Sequence, residues 1–454
     1  MKRLNFDTVR HHKALSVQRK LIDLYEKLTR EFLGVELKAL PFQGIHRLRS
    51  VITAEKLEHF YTEHVDEVKE IVGLMDKEPG VETLQHIIDK VNVHAHTLLG
   101  VTFIQLDYSK QVGRWWNLLT ENSRGNIFRY PDLEIVSLPF SKFYNLNERA
   151  STELKNLNFN QSSYVMEKLD GTMIHLFESN GVILSATRGS AGVYYFNDKA
   201  IALIQRANPE AILAVIRSGY TPIFEILLKP EDEFGQLVKY EEEELRLIAV
   251  RHRETGAYVH PTELEEMAKA FGVKSAIFYQ EKELFHVLQE QNIITNMEGW
   301  VIYFEDGLMV KIKGEEYVMQ ARSKSLEEKV KGKREKSGNE IGETIYGWMQ
   351  AGVLDDQLSY IQSNDLRNEM SQIADNIEKA LEEFLMQLKG MFSQHYSVDR
   401  KTFALALKND ETIDRSTFAL LFELYKGASI DSEKVKWELI EAQLEKKKET
   451  FVSA

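Results

Sequence analysis

Charged residues stand at the ends of short apolar runs in the middle of this chain, where a strand could point them into a cleft. The clearest case is Lys168-Leu169-Asp170-Gly171, in which the apolar residues Tyr164, Val165 and Met166 lead to a lysine and a sharp Asp-Gly turn. A lysine amine is a nucleophile once it has lost its proton. So short a pattern also arises by chance, and a plain β-turn with a solvated lysine is the alternative.

Further charged residues lie on or beside apolar runs downstream, in the order Glu225, Glu298, Lys311 and Lys313. Lys311 and Lys313 alternate with Val310 and Ile312, which puts both amines on one face of a strand. Two lysines on one strand face repel each other, and an anionic group between them relieves that repulsion. The pattern therefore indicates a site for a phosphate-rich ligand such as a triphosphate.

In this order the residues resemble the motifs of the covalent nucleotidyltransferase superfamily, which contains ATP-dependent ligases and mRNA capping enzymes. Lys168 to Gly171 matches the nucleophile motif, Glu225 the third motif, Glu298-Gly299 the fourth and Lys311 to Lys313 the fifth. Within that superfamily the chain is most similar to RNA ligases of the phage tRNA-repair type. Residues 123–128 and 138–148 resemble the segment upstream of the nucleophile in those ligases, and residues 399–404 resemble their helical tRNA-repair domain.

The resemblance implies that Lys168 attacks the α-phosphorus of ATP and forms a lysyl-adenylate. The adenylate would then pass to an RNA 5′-phosphate, and a 3′-hydroxyl would displace AMP. The residues expected to be catalytic are Lys168, Asp170, Glu225, Glu298, Lys311 and Lys313. Those expected to bind ATP are Tyr108, Arg124, Lys142, Tyr144, Gly171, Arg188, Glu225, Gly299, Lys311 and Lys313. Mg²⁺, or Mn²⁺, is expected on Glu225, Glu298 and Asp355.

Two of these assignments have structural alternatives. Tyr144 could stack on adenine or pack in the core, and Asp355 could serve a metal or cap a helix. The chain also departs from the family at two places. Arg188 stands where the family has a lysine, so its contact with phosphate can differ in geometry. Residues 1–95 have no counterpart in the phage enzymes.

The elements that must position these residues change along the chain. Apolar residues at helical spacing predict helices over 14–34, 54–76 and 81–99, and again from about 321 onward. Short β-rich runs predict strands at 101–106, 133–140, 164–169, 172–178, 222–228, 245–250, 299–305 and 308–313, with one helix near 196–217. We therefore expect an α+β fold in which a mixed, mainly antiparallel-sheet nucleotidyltransferase domain (96–320) is flanked by a helical N-terminal extension (1–95) and an all-helical C-terminal domain (321–454).

Composition limits the partners and the compartment. The 454 residues carry 57 Lys+Arg against 70 Asp+Glu, a net charge of −13, so RNA must dock on a local basic patch. Residues 311–336 supply such a patch, with nine Lys+Arg against five Glu.

The absence of cysteine excludes thiol nucleophiles and cysteine-ligated metals and favours a reducing compartment. No apolar run approaches the roughly 18 residues of a membrane span. We expect a cytoplasmic monomer that binds RNA, such as tRNA or a nicked stem-loop.

Two other classes remain open. One is an RNA or nucleotide sensor that keeps the fold without turnover, and the other is a capping-type or DNA-joining nucleotidyltransferase. Capping enzymes and DNA ligases normally place a β-barrel after the fifth motif, whereas the sequence after Lys313 is helical. The sequence therefore favours an RNA ligase.

Overall fold

The computed structural model describes residues 1–40, 44–158, 162–232, 234, 236–280, 282–321, 345–349, 352–359, 364–397, 399–410, 413 and 415–426. Its fold is α+β, as predicted, with both helices and sheets well represented. Among the described residues, none of the helices combines the length and the apolar character that crossing a membrane requires.

The helices named here are α1 (Thr8–Leu33), α2 (Gly44–Val51), α3 (Ala54–Glu63), α4 (Val65–Leu74), α5 (Val81–Lys90), α6 (Leu118–Asn122), α7 (Tyr195–Gln205), α8 (Pro209–Arg217), α9 (Leu264–Phe271), α10 (Leu284–Glu290), α11 (Leu354–Ser359), α12 (Asn364–His395), α13 (Arg400–Lys408) and α14 (Arg415–Tyr425). Residues 315–321 and 345–349 are also helical. The strands are β1 (Val91–Leu98), β2 (Val101–Tyr108), β3 (Arg124–Arg129), β4 (Glu134–Ser137), β5 (Tyr144–Asn145), β6 (Ser163–Lys168), β7 (Thr172–Ser179), β8 (Val182–Ala186), β9 (Tyr220–Leu227), β10 (Glu244–His252), β11 (Lys274–Ser275), β12 (Phe278–Tyr279), β13 (Gly299–Phe304) and β14 (Met309–Lys313).

The chain divides into two compact units, each made of three segments. Unit 1 consists of Met1–Arg19, His96–Tyr108 and Asn117–Lys333, and unit 2 consists of Lys20–Ala95, Ser109–Trp116 and Arg334–Ala454. This division differs from the three consecutive segments that the sequence predicts, because residues 20–95 fall in one unit with the C-terminal helices. Within unit 2, α2 packs against α12.

Three sheets have the strand orders β1-β2-β3-β4, β11-β10-β9-β7-β8 and β12-β6-β13-β14-β5. Strand β13 lies at the centre of the third sheet and is buried along its whole length. Its Val301 and Tyr303 join a core shared with strands β7, β9 and β10, whereas Trp300 and Ile302 join a second core beneath α10. Alternate side chains of this strand therefore fill two cores, which explains its continuous apolar sequence.

Three of the predicted helices were wrong in extent. The helix expected over 81–99 ends at Lys90, and Val91–Leu98 is strand β1, in which β-branched Val91 and Val93 are buried. The helix expected over 54–76 is two helices separated at His64. The helix expected near 196–217 is also two, because Asn208 caps a new helix that begins with Pro209.

Candidate active site

Three of the sequence motifs meet at the end of the central strand of the third sheet. Gly299, the first residue of β13, lies opposite Lys168 of β6 on one side and opposite Lys313 of β14 on the other. Glu298 precedes Gly299 and has only 5% of its side chain exposed. Its Oε2 lies 2.6 Å from Lys168 Nζ and its Oε1 lies 3.3 Å from Lys313 Nζ. One buried carboxylate thus holds the predicted nucleophile and one predicted phosphate-binding lysine.

The glycines of the motifs allow this close approach. Gly299 has φ +146°, and a Cβ there would lie 2.1 Å from the carbonyl oxygen of Ile312. A Cβ on Gly171 would lie 2.5 Å from the carbonyl oxygen of Ile226 and 2.7 Å from Cγ of Glu225. Only glycine fits at either position without displacing the neighbouring strand. Gly171 and Gly299 therefore determine how near the carboxyl groups come to Lys168.

Glu225 lies on β9, opposite Met173 of β7. Burial raises the pKa of its carboxyl to about 8; Lys168 opposes this shift and the charge of Glu298 adds to it. Among the described residues, no side chain donates a hydrogen bond to this carboxyl. A divalent cation would favour its ionised form, and hard cations prefer carboxylate oxygens. Glu225 therefore fits the role of a metal ligand, with Glu298 as the second carboxylate.

Asp170 is held by four hydrogen bonds. Its Oδ2 accepts from the backbone N–H groups of Leu237 and Val238 at 2.8 and 3.0 Å, and its Oδ1 accepts from the Tyr317 hydroxyl at 2.9 Å. Its own backbone N–H donates to the Tyr240 hydroxyl. Burial raises its pKa, as does Glu298. In this arrangement Asp170 fixes the turn that follows Lys168 against two other segments.

Phe143 lies close to two cations of the predicted ATP site. The Arg124 guanidinium carbon is 5.7 Å from the centre of its ring, and Lys311 Nζ is 5.6 Å from it. Cations at these distances from an aromatic ring are attracted by its π-face. Lys311 and Arg124 are therefore placed beside the same ring, although they are far apart in sequence.

Tyr144, the next residue, is buried beside charged side chains. Its hydroxyl donates to Glu121 Oε1 at 2.7 Å, and its ring lies 5.2 Å from Lys142 Nζ and 5.0 Å from the Arg149 guanidinium carbon. Lys142 also lies 3.8 Å from Glu148 Oε1. The adenine-stacking role of Tyr144 stays a prediction, and Phe143 is a second candidate for it.

Arg188 contacts the end of β2. Its Nε lies 3.1 Å from Asp107 Oδ1, and its guanidinium carbon lies 4.5 Å from the Tyr108 ring. The charge of Asp107 raises the pKa of Arg188. Although burial raises the pKa of Tyr108, the surrounding cations Arg188, Arg124 and Lys142 bring it below its ordinary value. Tyr108 therefore lies in a positive environment that suits an anionic ligand.

Two predicted features lie elsewhere. Asp355 belongs to unit 2, where Trp116 Nε1 donates to its Oδ2 at 3.2 Å, and its metal role stays a prediction. Most of the basic patch at 311–336 lies outside the described residues, which include only 311–321 of it.

The structure adds contacts that the sequence did not single out. Tyr317 reaches Asp170, Phe143 lies beside Arg124 and Lys311, and Asp107 pairs with Arg188. Phe143 and Asp107 each adjoin a residue that was predicted, so proximity in sequence was the available signal. Tyr317 follows Lys313 by four residues and carried no comparable signal.

Comparisons with known proteins agree with the motifs. Residues 118–317 match the family model described as RNA ligase. A curated protein of Thermovibrio ammonificans described as "Putative RNA ligase" is 31% identical over 207 residues, which cover 44% of this chain and 52% of that protein. The chain thus spans about half the length of this curated relative.

Solved structures of RNA ligases are also similar. An archaeal ATP-dependent RNA ligase has 13% identity and a TM-score of 0.44, over 77% of this chain and 96% of that one. The Naegleria gruberi RNA ligase with pyrophosphate has 16% identity and a TM-score of 0.31, over 51% of this chain and 77% of that one. The stretch that matches the family model contains Lys168, Glu225, Glu298 and Lys313, so this part of the chain is similar to RNA ligases at the residues that form the site.

Proposed function

We propose that the protein is an ATP-dependent RNA ligase that joins an RNA 5′-phosphate to a 3′-hydroxyl. The observation that carries the proposal is the placement of Lys168 Nζ 2.6 Å from Glu298 Oε2, with Lys313 on the other oxygen of the same carboxylate. Two ammonium groups against one carboxylate leave positive charge where a triphosphate would bind. Arg124, Lys311 and Arg188 add to it at the neighbouring rings and strand ends.

In the first step the Lys168 amine attacks the α-phosphorus of ATP, so that a P–N bond forms and the bond to pyrophosphate breaks. The amine must first lose a proton, and Glu298 Oε2 is the acceptor within hydrogen-bond distance. In this proposal Lys313 and Arg124 neutralise the charge that builds up on the phosphate oxygens. In-line attack needs chiefly this positioning and neutralisation.

In the second step an oxygen of the RNA 5′-phosphate attacks the same phosphorus and releases the Lys168 amine, which takes back a proton. In the third step the 3′-hydroxyl attacks the activated 5′-phosphate, and AMP leaves. Glu225 and Glu298 would hold the divalent cation, Mg²⁺ or Mn²⁺. When bound, such a cation supplies further neutralisation of phosphate charge.

The experiment that tests the proposal is mass spectrometry of the protein after incubation with ATP or GTP and Mg²⁺. We expect one AMP on the tryptic peptide that contains Lys168, and its transfer to a 5′-phosphorylated RNA. A GMP adduct would instead indicate a capping-type enzyme. Transfer to nicked DNA but not to RNA would indicate a DNA ligase, and no adduct with either nucleotide would indicate a sensor.

The finer part of the proposal is that the natural substrate is tRNA or a nicked stem-loop, and that the protein acts as a cytoplasmic monomer. The choice of tRNA is supported by residues 399–404, which resemble a tRNA-repair domain and form the start of α13. Lys401, in the first turn of α13, has an exposed side chain, and so has Lys408, the last residue of the same helix. Both can therefore be changed without opening the core.

Sealing of a nicked anticodon stem-loop should be faster than sealing of an unstructured strand, because a folded RNA presents a shape that a second surface can read. Lys401→Ala should reduce this preference and Lys408→Ala should not. Equal rates on the two RNAs in the parental protein would contradict tRNA selection while leaving ligase activity intact.

A further inference from the structure

A buried polar network lies beneath the loop that carries Arg188. Its members are His96 of β1, Gln105 of β2, Ser137 of β4 and His175 of β7, and all four are at most 6% exposed. None of them was predicted as a site residue. All belong to unit 1, as do Arg188 and the strands that hold Lys168.

The network converges on one backbone carbonyl. The oxygen of Thr187 accepts a hydrogen bond from Gln105 Nε2 at 2.8 Å and another from His175 Nε2 at 3.1 Å. Since a carbonyl oxygen can only accept, His175 must carry its proton on Nε2. Its Nδ1 is then free to accept from the Ser137 hydroxyl, which lies 2.7 Å away. The ring is therefore held at both nitrogens in its neutral form.

Gln105 is fixed in the same manner. Its amide oxygen lies 3.1 Å from His96 Nε2. Because an amide oxygen can only accept a hydrogen bond, His96 must also carry its proton on Nε2. Because one amide oxygen faces His96, the amide nitrogen of Gln105 must face Thr187. Both donors to the Thr187 carbonyl are thus oriented by residues behind them.

Arg188 follows this carbonyl directly and has little freedom of its own. Thr187 and Ser190 close a turn around it, with Thr187 N–H donating to Ser190 O at 2.8 Å and the two hydroxyls 2.8 Å apart. On the other side is Gly125, where a Cβ would lie 3.1 Å from Arg188 Cα and 3.1 Å from His175 Nε2. The backbone of Arg188 is therefore held between the network and β3.

We propose that His175 is a positioning residue for Arg188, which it sets through the carbonyl of Thr187. This inference rests on the proposed function, in which Arg188 binds the phosphates of ATP. His175 does not itself reach the ligand. It fixes the peptide from which the arginine extends, so that the guanidinium reaches Asp107 and Tyr108 in one orientation.

The test uses the full-length protein and the rate of AMP transfer to Lys168 at increasing ATP. His175→Leu removes the donor to Thr187, whereas His175→Gln keeps an N–H donor near the position of Nε2. We expect His175→Leu to raise the ATP concentration for half-maximal rate by about tenfold or more, with a smaller change in the maximal rate, and His175→Gln to restore most of the loss. Gln105→Leu, which removes the second donor, should act in the same direction.

A matched control and a double variant separate positioning from general support of the fold. His260 is a buried histidine of the same unit whose ring caps the turn at Pro261–Glu263, so His260→Leu controls for loss of a buried ring. We expect it to leave ATP dependence unchanged. If His175 acts through Arg188, the double variant His175→Leu/Arg188→Ala should be no worse than Arg188→Ala alone.

Thermal unfolding of each variant shows whether it is folded at the assay temperature. A folded His175→Leu variant with parental ATP dependence would overturn the inference. The inference would also be overturned if His175→Leu impaired AMP transfer by the same factor in the Arg188→Ala background as in the parental protein. If His175→Leu does not fold, the same comparison is made with Gln105→Leu. If the parental protein forms no adduct on Lys168, the proposed function fails and this inference fails with it; an adduct in the parent together with unaltered variants refutes the inference alone.

Discussion

Each unit of this protein contains a largely buried lysine held by glutamates, and the two arrangements are opposite in charge. In unit 1, Lys168 and Lys313 share the single carboxylate of Glu298. In unit 2, Lys90 alone is paired with Glu378 at 3.2 Å and Glu382 at 2.8 Å. Among these paired groups alone, the first arrangement has one more ammonium than carboxylate, whereas the second has one more carboxylate than ammonium.

Lys90 and Lys168 also differ in how exposed they are and in the backbone that surrounds them. Lys90 is 3% exposed and ties a helix of the N-terminal part of the chain to α12, so it serves the structure. Lys168 is 20% exposed and stands next to glycines that bring strands unusually close. A buried ion pair alone therefore does not mark a site. A functional site is better indicated where paired lysines outnumber their carboxylates and glycines allow neighbouring strands to approach closely.

The largest expected effect follows from changing Lys168. Lys168→Ala should reduce AMP transfer by at least about a thousandfold, because only an amine at this point can form the P–N bond. Lys168→Arg should fail equally, since the guanidinium stays protonated. Mass spectrometry of the protein after incubation with ATP measures the adduct.

The matched control is Lys282, which has 18% of its side chain exposed, is paired with Glu290 in the same unit and is not part of the site. Lys282→Ala should react as the parental protein does. A lysyl-adenylate that persists in Lys168→Ala would show that the nucleophile lies elsewhere.

Acid should destabilise unit 1 through its buried histidines. Burial lowers the pKa of His175 to about 4, whereas the unfolded chain takes up this proton near pH 6.5. Between these values the unfolded state binds more protons, so the free energy of unfolding falls as the pH decreases from about 6.5 to 4. For one such group the loss approaches about 3 kcal/mol.

Urea unfolding at several pH values measures this loss. His175→Gln, which cannot titrate, should lose less stability over the same range than the parental protein. Identical pH dependence in the two proteins would mean that His175 is not the group responsible. His11, whose pKa burial also lowers to about 4, would then be the next residue to change.

A smaller effect on chemistry is expected from the two lysines of β14. Lys313→Ala removes one of the two amines on Glu298 and should slow AMP transfer by about tenfold to a hundredfold. Lys311→Ala, which leaves Glu298 untouched, should affect the same step through the phosphates. Sealing of pre-adenylated RNA by both variants would show whether either lysine also acts later. Parental rates in both would mean that neither lysine takes part in AMP transfer.

The smallest effect is expected in unit 2. Glu378→Gln leaves the buried ammonium of Lys90 with one carboxylate instead of two and should lower the free energy of unfolding by about 1–2 kcal/mol. Thermal or urea unfolding measures the change, and Glu383→Gln, on the exposed side of the same helix, is the control. AMP transfer to Lys168 should be unchanged. A loss of AMP transfer in a stable Glu378→Gln variant would remove the distinction drawn between the two lysines.

Sequence predicted those parts of the site that depend on local pattern. The alternation of Val310 to Lys313 gave the strand and its two faces correctly, since the period of a strand is fixed by its geometry. The strand predicted at 164–169, which is Ser163–Lys168 in the structure, and the glutamate before β13 were likewise found from short runs. The order of these residues along the chain resembles that of the covalent nucleotidyltransferases, and this resemblance suggested the chemistry.

Other features depend on contacts between distant residues and could not be read from the sequence. His175 reaches Thr187 only because β7 and β8 pair, and Tyr317 reaches Asp170 across 147 residues. The end of α5 was misplaced because Val91 to Leu98 fits a helical spacing as well as an alternating one. The grouping of residues 20–95 with α12 carried no signal in the sequence of either segment.

The ion pair between Lys90 and Glu378 spans 288 residues of the chain, which has a consequence for biosynthesis. At about 5–20 residues per second, a ribosome needs roughly 15–60 s to make Glu378 after it has made Lys90. Throughout that interval helix α2 lacks α12, against which it packs, and the amine of Lys90 lacks both of its carboxylates. During this interval of translation the helices of residues 20–95 therefore lack the C-terminal helix that completes their packing.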